Sequence, residues 1–228
     1  MSIFDLPAPE AVSARMVAAL AEATIDDWPY RHWTLSDVFP EEVAVNILLM
    51  PIRPPLIDEC GGVRDLDDNN NKRSFFTPDL CAGYPVAACL AEGMQAPATA
   101  RALARSLDVD LEGAYLRMEY IQDTDGAWLE PHRDIHEKLF SMVIYLCTGP
   151  NSAEWGTDIY DADRKWVGRS KATFNSAVIF VPGPATWHGF DKRPIIGVRR
   201  LMEINYVRPT WRDRDQLTFP DRPVRLEG

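Results

Sequence analysis

Two histidines and one aspartate have the residue types and spacing to hold a single metal ion. His132 and Asp134 are two residues apart, so on an extended strand their side chains point to the same face. His188 lies 54 residues beyond Asp134, at the end of a predicted strand, and supplies a third ligand. Two imidazoles and one carboxylate are a typical iron(II) ligand set, which leaves coordination positions open for a co-substrate and oxygen. A surface histidine beside a loop aspartate is the alternative for the first pair.

A basic pair follows the distal histidine. Arg199 and Arg200 lie in an otherwise apolar strand, where an unpaired arginine is costly. Arginine binds carboxylates through two parallel hydrogen bonds, so an inward arginine indicates an acidic co-substrate such as 2-oxoglutarate. The alternative is an ion pair with a neighbouring acid such as Glu203. Strand alternation favours Arg200 as the inward residue, because it shares a face with apolar side chains. Those side chains are Met202, Ile204 and Tyr206.

Length and charge exclude several classes of protein. The 228 residues suffice for one domain with a sizeable core. The net charge of −10 disfavours a nucleic-acid or anionic-membrane partner, since both need clustered Lys and Arg. No run approaches the roughly 18 apolar residues of a membrane helix, and no signal peptide is evident. The four cysteines lack metal-site spacing and indicate free thiols in a reducing compartment, so we expect a cytoplasmic protein.

Helical patterns come first in the chain and strand patterns follow. Helices are predicted over residues 10–24, 41–50 and 85–106, with Pro97 as a break or a start, and a short strand within 30–39. Strands are predicted over residues 114–121, 139–146, 176–182 and 198–207. This order predicts helices packed on one side of a β-sandwich or barrel. No nucleotide-binding fingerprint is present.

The segment between the helices and the strands has a loop composition. Residues 51–73 contain three prolines, two adjacent glycines and the run DLDDNNNKR. The part over 60–76 is either a lid over the site or a solvated linker. Arg64, Lys72 and Arg73 would meet an anionic substrate in the first case and water in the second.

The second half of the chain resembles the iron(II)- and 2-oxoglutarate-dependent dioxygenases, especially their prolyl-hydroxylase-like branch. The matching pieces cover about residues 115–207 and are LRMEYIQDTDGAWLEPHRD, KLFSMVIYL, WGTDIYDAD, AVIFVPGPATWHGF and GVRRLMEINYV. PYRHWTLSDVFPEEV is similar to the lead-in of such enzymes. The resemblance implies an α+β, mainly β, protein with a double-stranded β-helix (jelly-roll) core. It implies one domain over 1–228, helical over about 1–107 and jelly-roll over about 108–210.

The same resemblance assigns site residues. It places Fe(II) on His132, Asp134 and His188. The family's 2-oxoglutarate arginine follows the distal histidine in a G-x-R pattern, which favours Arg199 over Arg200. Many relatives carry a small or hydroxyl residue two positions later, where this chain has Leu201.

Four aromatic or histidine side chains are weaker candidates. Tyr120 and Tyr145 are either second contacts to the co-substrate or core aromatics. His136 is either a substrate contact or a loop histidine, and His32 is most simply structural. Related halogenases have a small residue at the position of Asp134, so this carboxylate favours hydroxylation or a related oxidation such as desaturation.

Three functions are compatible with these residues. The first is an oxygenase that uses O2 and 2-oxoglutarate to hydroxylate a small-molecule or carbohydrate-like metabolite, releasing succinate and CO2. The second is a protein side-chain hydroxylase of the prolyl type. The third is a jelly-roll metal-binding or interaction protein without turnover. The sequence leaves the substrate and the oligomeric state undetermined.

Overall fold

The computed structural model describes residues 5–55, 60–63 and 73–227. Within these residues, eleven strands form two antiparallel sheets. The strands are β1 (Thr24–Asp26), β2 (His32–Leu35), β3 (Arg73–Phe75), β4 (Tyr115–Asp123), β5 (Leu129–His132), β6 (Lys138–Tyr145), β7 (Asp158–Tyr160), β8 (Trp166–Arg169), β9 (Ser176–Phe180), β10 (His188–Phe190) and β11 (Arg199–Val207). The larger sheet has the order β1-β2-β9-β6-β11-β4-β3, and the smaller has the order β5-β10-β7-β8.

In the described part of the chain, five α-helices cover one face of the larger sheet. They are α1 (Pro9–Ala21), α2 (Glu41–Leu48), α3 (Pro78–Gly83), α4 (Pro85–Gln95) and α5 (Pro97–Leu107). All but α2 begin with proline, which suits the first helical turn because its missing N–H would have no partner there. Pro97 therefore separates two helices within the single predicted segment 85–106. Helices on one side of a jelly-roll are what the sequence predicts, and the fold prediction is confirmed.

Both faces of the larger sheet are buried. One face packs against the helices, where Met118, Met202 and Ile204 join a core that includes Val12 and Leu90. The opposite face looks into the space between the two sheets, with Ile121, Tyr145 and Leu201 in a second core. Because neighbouring residues on a strand point to opposite faces, each long strand contributes alternate side chains to each core.

The predicted elements are found, and several short strands were not predicted. Strands β4, β6, β9 and β11 match the four predicted strands, whereas the whole smaller sheet consists of strands of three or four residues. The N-terminal part is not purely helical, because β1, β2 and β3 lie in it and pair with the larger sheet.

Three further predictions concern a lid, the cysteines and membrane-spanning helices. Residues 64–72, with Arg64 and Lys72, lie outside the described residues, so the lid predicted over 60–76 stays a prediction. Cys81, Cys89 and Cys147 are free thiols. Within the described part of the chain, no helix is both long enough and apolar enough to cross a bilayer.

Candidate metal and co-substrate site

The three predicted ligands converge where the smaller sheet meets the loop that follows β5. Strands β5 and β10 pair antiparallel with His132 opposite His188, and their ring centroids are 4.3 Å apart. Asp134 follows two residues after the end of β5, and its Oδ2 lies 3.8 Å from Nε2 of His188. One ligand atom from each residue lies within 4.8 Å of the others. These three side chains are therefore placed to bind one ion.

Backbone carbonyls fix the orientation of both imidazoles. Nδ1 of His132 lies 2.9 Å from the carbonyl oxygen of Glu130, and Nδ1 of His188 lies 3.0 Å from that of Thr186. A ring that donates Nδ1–H to a carbonyl presents the Nε2 lone pair, which is the usual arrangement for a metal-binding histidine. Burial, reinforced by the nearby His188, lowers the pKa of His132 to about 4. His132 is thus neutral at neutral pH, the form that binds metals.

Asp134 is held by two side chains of β6. Ser141 Oγ donates to Oδ2 at 2.6 Å, and Lys138 Nζ donates to Oδ1 at 2.7 Å. Lys138 Nζ also donates to Glu203 on β11, at 2.6 Å. Burial alone would raise the pKa of Asp134, but Lys138 holds it below its ordinary value. Burial alone would lower the pKa of Lys138, but Asp134 and Glu203 raise it, so the group is an ionised buried network.

A cavity of about 320 Å³ leads from the metal ligands into the space between the sheets. The donor set of two imidazoles and one carboxylate at its mouth fits iron(II) and leaves coordination positions open. Arg199 lines the same cavity, together with Thr157 and Leu201. The ligand triad and the arginine favoured by the G-x-R pattern therefore line one cavity.

Arg199 is almost fully buried and is fixed by two acceptors. Its Nε donates to the carbonyl oxygen of Trp155 at 2.7 Å, and its Nη1 donates to Asp123 at 2.6 Å. The guanidinium lies over the Phe190 ring, 3.9 Å from the centroid. Nη2 makes no hydrogen bond among the described residues and is the nitrogen left for a ligand. The alternative of an ion pair with a neighbouring acid is met by Asp123, which pairs with Arg199, whereas Glu203 pairs with Lys138.

Arg200 and Tyr120 do not line the cavity. Arg200 lies opposite Gln122 on β4 and faces away from the space between the sheets, as Met202 does. Tyr120 pairs with Met202 and is buried in the core under the helices. Strand alternation correctly placed Arg200 on the same face of β11 as Met202. That face, however, packs against the helices and not against the cavity. Because both faces of β11 are covered, burial alone could not select the inward arginine.

Tyr145 lies behind the cavity wall beside Arg199. Its hydroxyl donates to Thr157 Oγ1 at 2.7 Å, accepts from the Thr157 backbone N–H, and also bonds Ser170. Burial raises the pKa of Tyr145, so the hydroxyl stays protonated. Of Tyr145, Thr157 and Ser170, Thr157 lines the cavity. Tyr145 contributes indirectly, because its hydroxyl orients Thr157.

The remaining histidines lie outside the triad. His136 is exposed beside Glu137 and borders a shallower cavity on the outer side of His132. His32 is buried with Nδ1 2.9 Å from the carbonyl oxygen of Tyr30, as a structural histidine would be. Sequence reasoning missed Lys138 and Ser141, although a lysine opening the apolar strand KLFSMVIYL carries the same signal as an arginine in an apolar strand.

Comparison with known proteins establishes the fold. Neither a family model nor a curated protein sequence matches this chain. A prolyl 4-hydroxylase structure from Phytophthora capsici is 13% identical and covers 92% of this chain and 68% of its own, with a TM-score of 0.61. A Trichoplax adhaerens prolyl hydroxylase in complex with a peptide fragment of hypoxia inducible factor is 12% identical, covering 87% and 90%, with a TM-score of 0.56.

A third structure holds a small molecule. HygX from Streptomyces hygroscopicus, with nickel, 2-oxoglutarate and hygromycin B bound, is 15% identical and covers 79% of this chain and 85% of its own, with a TM-score of 0.52. All three share the jelly-roll fold with this chain. At these identities the similarity concerns the fold, so the activity rests on the residues of the site.

Proposed function

We propose that this chain is an Fe(II)- and 2-oxoglutarate-dependent oxygenase that hydroxylates a small polar molecule. The observation that carries the proposal is that one cavity joins the His132, Asp134 and His188 cluster to the buried Arg199. Two histidines and a carboxylate suit Fe(II), and a fixed, buried arginine suits the far carboxylate of a dicarboxylic co-substrate. The fold shared with the prolyl hydroxylases and HygX supports the same activity.

The chain's own groups have distinct roles in this proposal. His132, Asp134 and His188 hold the metal, and Lys138 and Ser141 keep the carboxylate of Asp134 in place. Arg199 and Thr157 bind the end of 2-oxoglutarate that is far from the metal, with Tyr145 fixing Thr157. When bound, iron(II) supplies the position at which O2 is activated while 2-oxoglutarate is oxidised to succinate and CO2. Apolar side chains, among them Phe190 and Leu201, also line the cavity.

A small substrate is favoured over a protein side chain. The cavity volume of about 320 Å³ lies at the lower end of the range for small-molecule sites. The cavity also reaches into the space between the two sheets. The peptide bound by the Trichoplax enzyme is the basis for the second candidate, a protein side-chain hydroxylase. The free cysteines support a reducing, cytoplasmic compartment.

The proposal is tested by spectroscopy and product analysis. We expect the protein, purified without oxygen, to develop a weak visible charge-transfer band when Fe(II) and 2-oxoglutarate are added, and to form succinate once oxygen enters. Asp134→Ala should abolish the band. If the wild-type protein gave neither band nor succinate, the proposal would be wrong. A band with no succinate under any condition would favour a metal-binding protein without turnover.

The assignment of the co-substrate arginine has its own matched pair of variants. Arg199→Ala should weaken 2-oxoglutarate binding by roughly tenfold to a hundredfold, because a charge-assisted hydrogen bond contributes about 1.5–3 kcal/mol. Arg200→Ala should leave the dissociation constant near the wild-type value. Titration of the visible band with 2-oxoglutarate measures both. The reverse order would mean that the co-substrate does not reach into the cavity between the sheets.

A further inference from the structure

The cavity has an outer end that the metal and co-substrate do not occupy. On the cavity face of β11 and β4, Arg199 lies opposite Asp123, and four residues further along Glu203 lies opposite Glu119. At about 3.4 Å per residue, this second pair is roughly 13 Å from the first. Glu203 bonds Lys138, which bonds Asp134. Glu119 is therefore beside the metal ligands and far from the co-substrate arginine.

The outer end is built from charged and polar side chains. We call this region the outer subsite, and its residues are Arg73, Arg117, Glu119, Trp211, Asp213 and Gln216. Arg117 connects most of them: its guanidinium lies 5.1 Å from the Trp211 ring centroid, and it donates to Gln216 at 2.8 Å and to Glu119 at 3.0 Å. Each of these contacts restrains the wall, so the subsite is preformed.

Glu119 has hydrogen-bonding capacity that the protein leaves unused. The side chain is 1% exposed and lines the cavity. Its Oε1 accepts from Arg117, whereas Oε2 accepts no hydrogen bond among the described residues and has only a 3.4 Å ionic contact with Arg73. A carboxylate can accept about four hydrogen bonds, and a buried oxygen without one is costly. A ligand with an N–H or O–H group would satisfy it.

The charge around the subsite selects the kind of donor. Five acidic and five basic side chains line the cavity, and Asp123, which forms an ion pair with Arg199 behind the cavity wall, adds a sixth acid. Iron(II) and 2-oxoglutarate carry opposite double charges, so together they leave this acidic excess unchanged. The chain's net charge of −10 also attracts cations and repels anions at longer range. A protonated amine fits this environment better than a neutral hydroxyl, and an anion fits worst.

We infer that the outer subsite binds a small polar substrate through an amino group, which donates a hydrogen bond to Glu119. The inference rests on the proposed oxygenase function and specifies its substrate class. Arg117, itself fixed by Gln216, holds Glu119 in place, and Trp211 supplies a flat apolar surface beside Arg117. The substrate carbon to be oxidised then lies between Glu119 and the metal ligands.

Three probes on one sugar scaffold test the charge preference. D-glucosamine, D-glucose and D-glucose 6-phosphate offer an amine, a hydroxyl and a phosphate, and a proline-containing decapeptide represents a protein substrate. Each is titrated into the anaerobic Fe(II)–2-oxoglutarate protein, below the pKa of the amine, and its dissociation constant is taken from the perturbation of the visible band. We expect glucosamine to bind most tightly and glucose 6-phosphate most weakly.

A near-isosteric variant assigns the preference to Glu119. Glu119→Gln should weaken glucosamine binding by about tenfold or more while leaving glucose within a few fold, because an amide oxygen still accepts from a hydroxyl but carries no charge. An unchanged visible band without probes shows that the variant folds and binds 2-oxoglutarate. Glu112→Gln, which alters a surface ion pair with Arg225, is the matched control and should behave as wild type.

Several outcomes would overturn the inference. They are tightest binding of the phosphate, equal effects of Glu119→Gln on glucosamine and glucose, an unchanged glucosamine constant in that variant, or tighter binding of the decapeptide than of any sugar. If the wild-type protein formed the visible band but any of these four outcomes was observed, the inferred substrate class would be wrong and the proposed function would stand. If no band formed at all, the proposed function itself would fail.

Discussion

At the scale of residues, Lys138 is the least expected member of the site. It is a buried cation in contact with a carboxylate that would bind a metal, and Glu203 on the other side balances it. Such outer contacts usually fix the orientation of a ligand and tune its affinity for the metal. Lys138 and Ser141 together leave Asp134 one orientation, with Oδ2 turned toward His188.

Removing the Lys138 charge should loosen the metal site. Lys138→Met should weaken Fe(II) binding by about tenfold to a hundredfold, in line with losses at other second-layer contacts. Anaerobic titration calorimetry measures the affinity. Because the single change leaves Glu203 buried without its lysine, the double variant Lys138→Met/Glu203→Gln separates destabilisation from loss of positioning. Lys192→Met, on the surface, is the control. Unchanged Fe(II) affinity in the double variant would show that Ser141 alone positions Asp134.

The sequence predicted the local part of this site and missed the part that depends on distant pairing. His132 and Asp134 are two residues apart in the sequence, which keeps them close together even though Asp134 follows the end of β5. Glu203 is 65 residues from Lys138, and only the pairing of β6 with β11 brings them together. The choice between Arg199 and Arg200 likewise required knowledge of which layer covers each face of β11.

At the scale of elements, the smaller sheet holds the metal ligands on very short strands. Its strands have three or four residues each, too few for a clear alternating pattern, which explains why the sequence did not predict them. Asp158 on β7 adds side-chain hydrogen bonds to the few backbone hydrogen bonds that such short strands can form. It accepts from Arg169 and Trp166 of β8, from the backbone N–H of Asp191 after β10, and from Arg193. One carboxylate thus ties together three of the four strands.

Gly189 on β10 sets the spacing between the two histidine strands. A Cβ there would lie 2.8 Å from the Leu129 carbonyl oxygen and 3.0 Å from that of Glu130. Gly189→Ala should push β5 away from β10 and separate His132 from His188. We expect at least tenfold weaker Fe(II) binding by calorimetry. Gly168→Ala on β8, where a Cβ meets nothing within 4 Å, is the control. Equal affinities for the two variants would contradict the prediction.

Loss of the Asp158 charge should destabilise the smaller sheet. Burial alone would raise the pKa of Asp158, but its hydrogen bonds from Arg193, the Asp191 backbone and Trp166 hold it below the ordinary value of 3.8. A carboxyl with a lowered folded pKa stabilises the protein above its unfolded pKa, and that stability is lost as pH falls through the folded value. Asp158→Asn should cost about 3 kcal/mol at pH 7, as loss of one partner from a buried pair does.

Denaturant unfolding at several pH values measures this effect. The free-energy difference between wild type and Asp158→Asn should be constant at neutral pH. It should shrink below about pH 4, where the unfolded chain protonates this carboxyl first, until the pH falls through the lower folded pKa. Asp221→Asn, a surface change, serves as the control for general acid effects. A difference that stayed constant down to pH 2 would show that the Asp158 charge does not contribute.

At the scale of the whole molecule, the site joins parts that are otherwise separate cores. His132 and His188 belong to the smaller sheet, Arg199 to the larger sheet, and Asp134 to the loop between β5 and β6. The helices pack against the face of the larger sheet that points away from the site. The order of helical and strand patterns was enough to predict this layering. The sequence could not show that the C-terminal segment would close the outer subsite through Trp211 and Gln216.

Because the ligands bridge the two sheets, Fe(II) and 2-oxoglutarate should each stabilise the folded chain. A ligand at 100 times its dissociation constant contributes about 2.7 kcal/mol. For a chain of this size each kcal/mol corresponds to about 2–4 °C. We therefore expect anaerobic melting temperatures to rise by roughly 5–10 °C with Fe(II) and again with 2-oxoglutarate. EDTA should reverse both increments, since 2-oxoglutarate binds through the metal. Arg199→Ala should keep the first increment and lose most of the second at the same ligand concentration. A full second increment in that variant, or stabilisation by 2-oxoglutarate without metal, would place the co-substrate outside the cavity that joins the triad to Arg199.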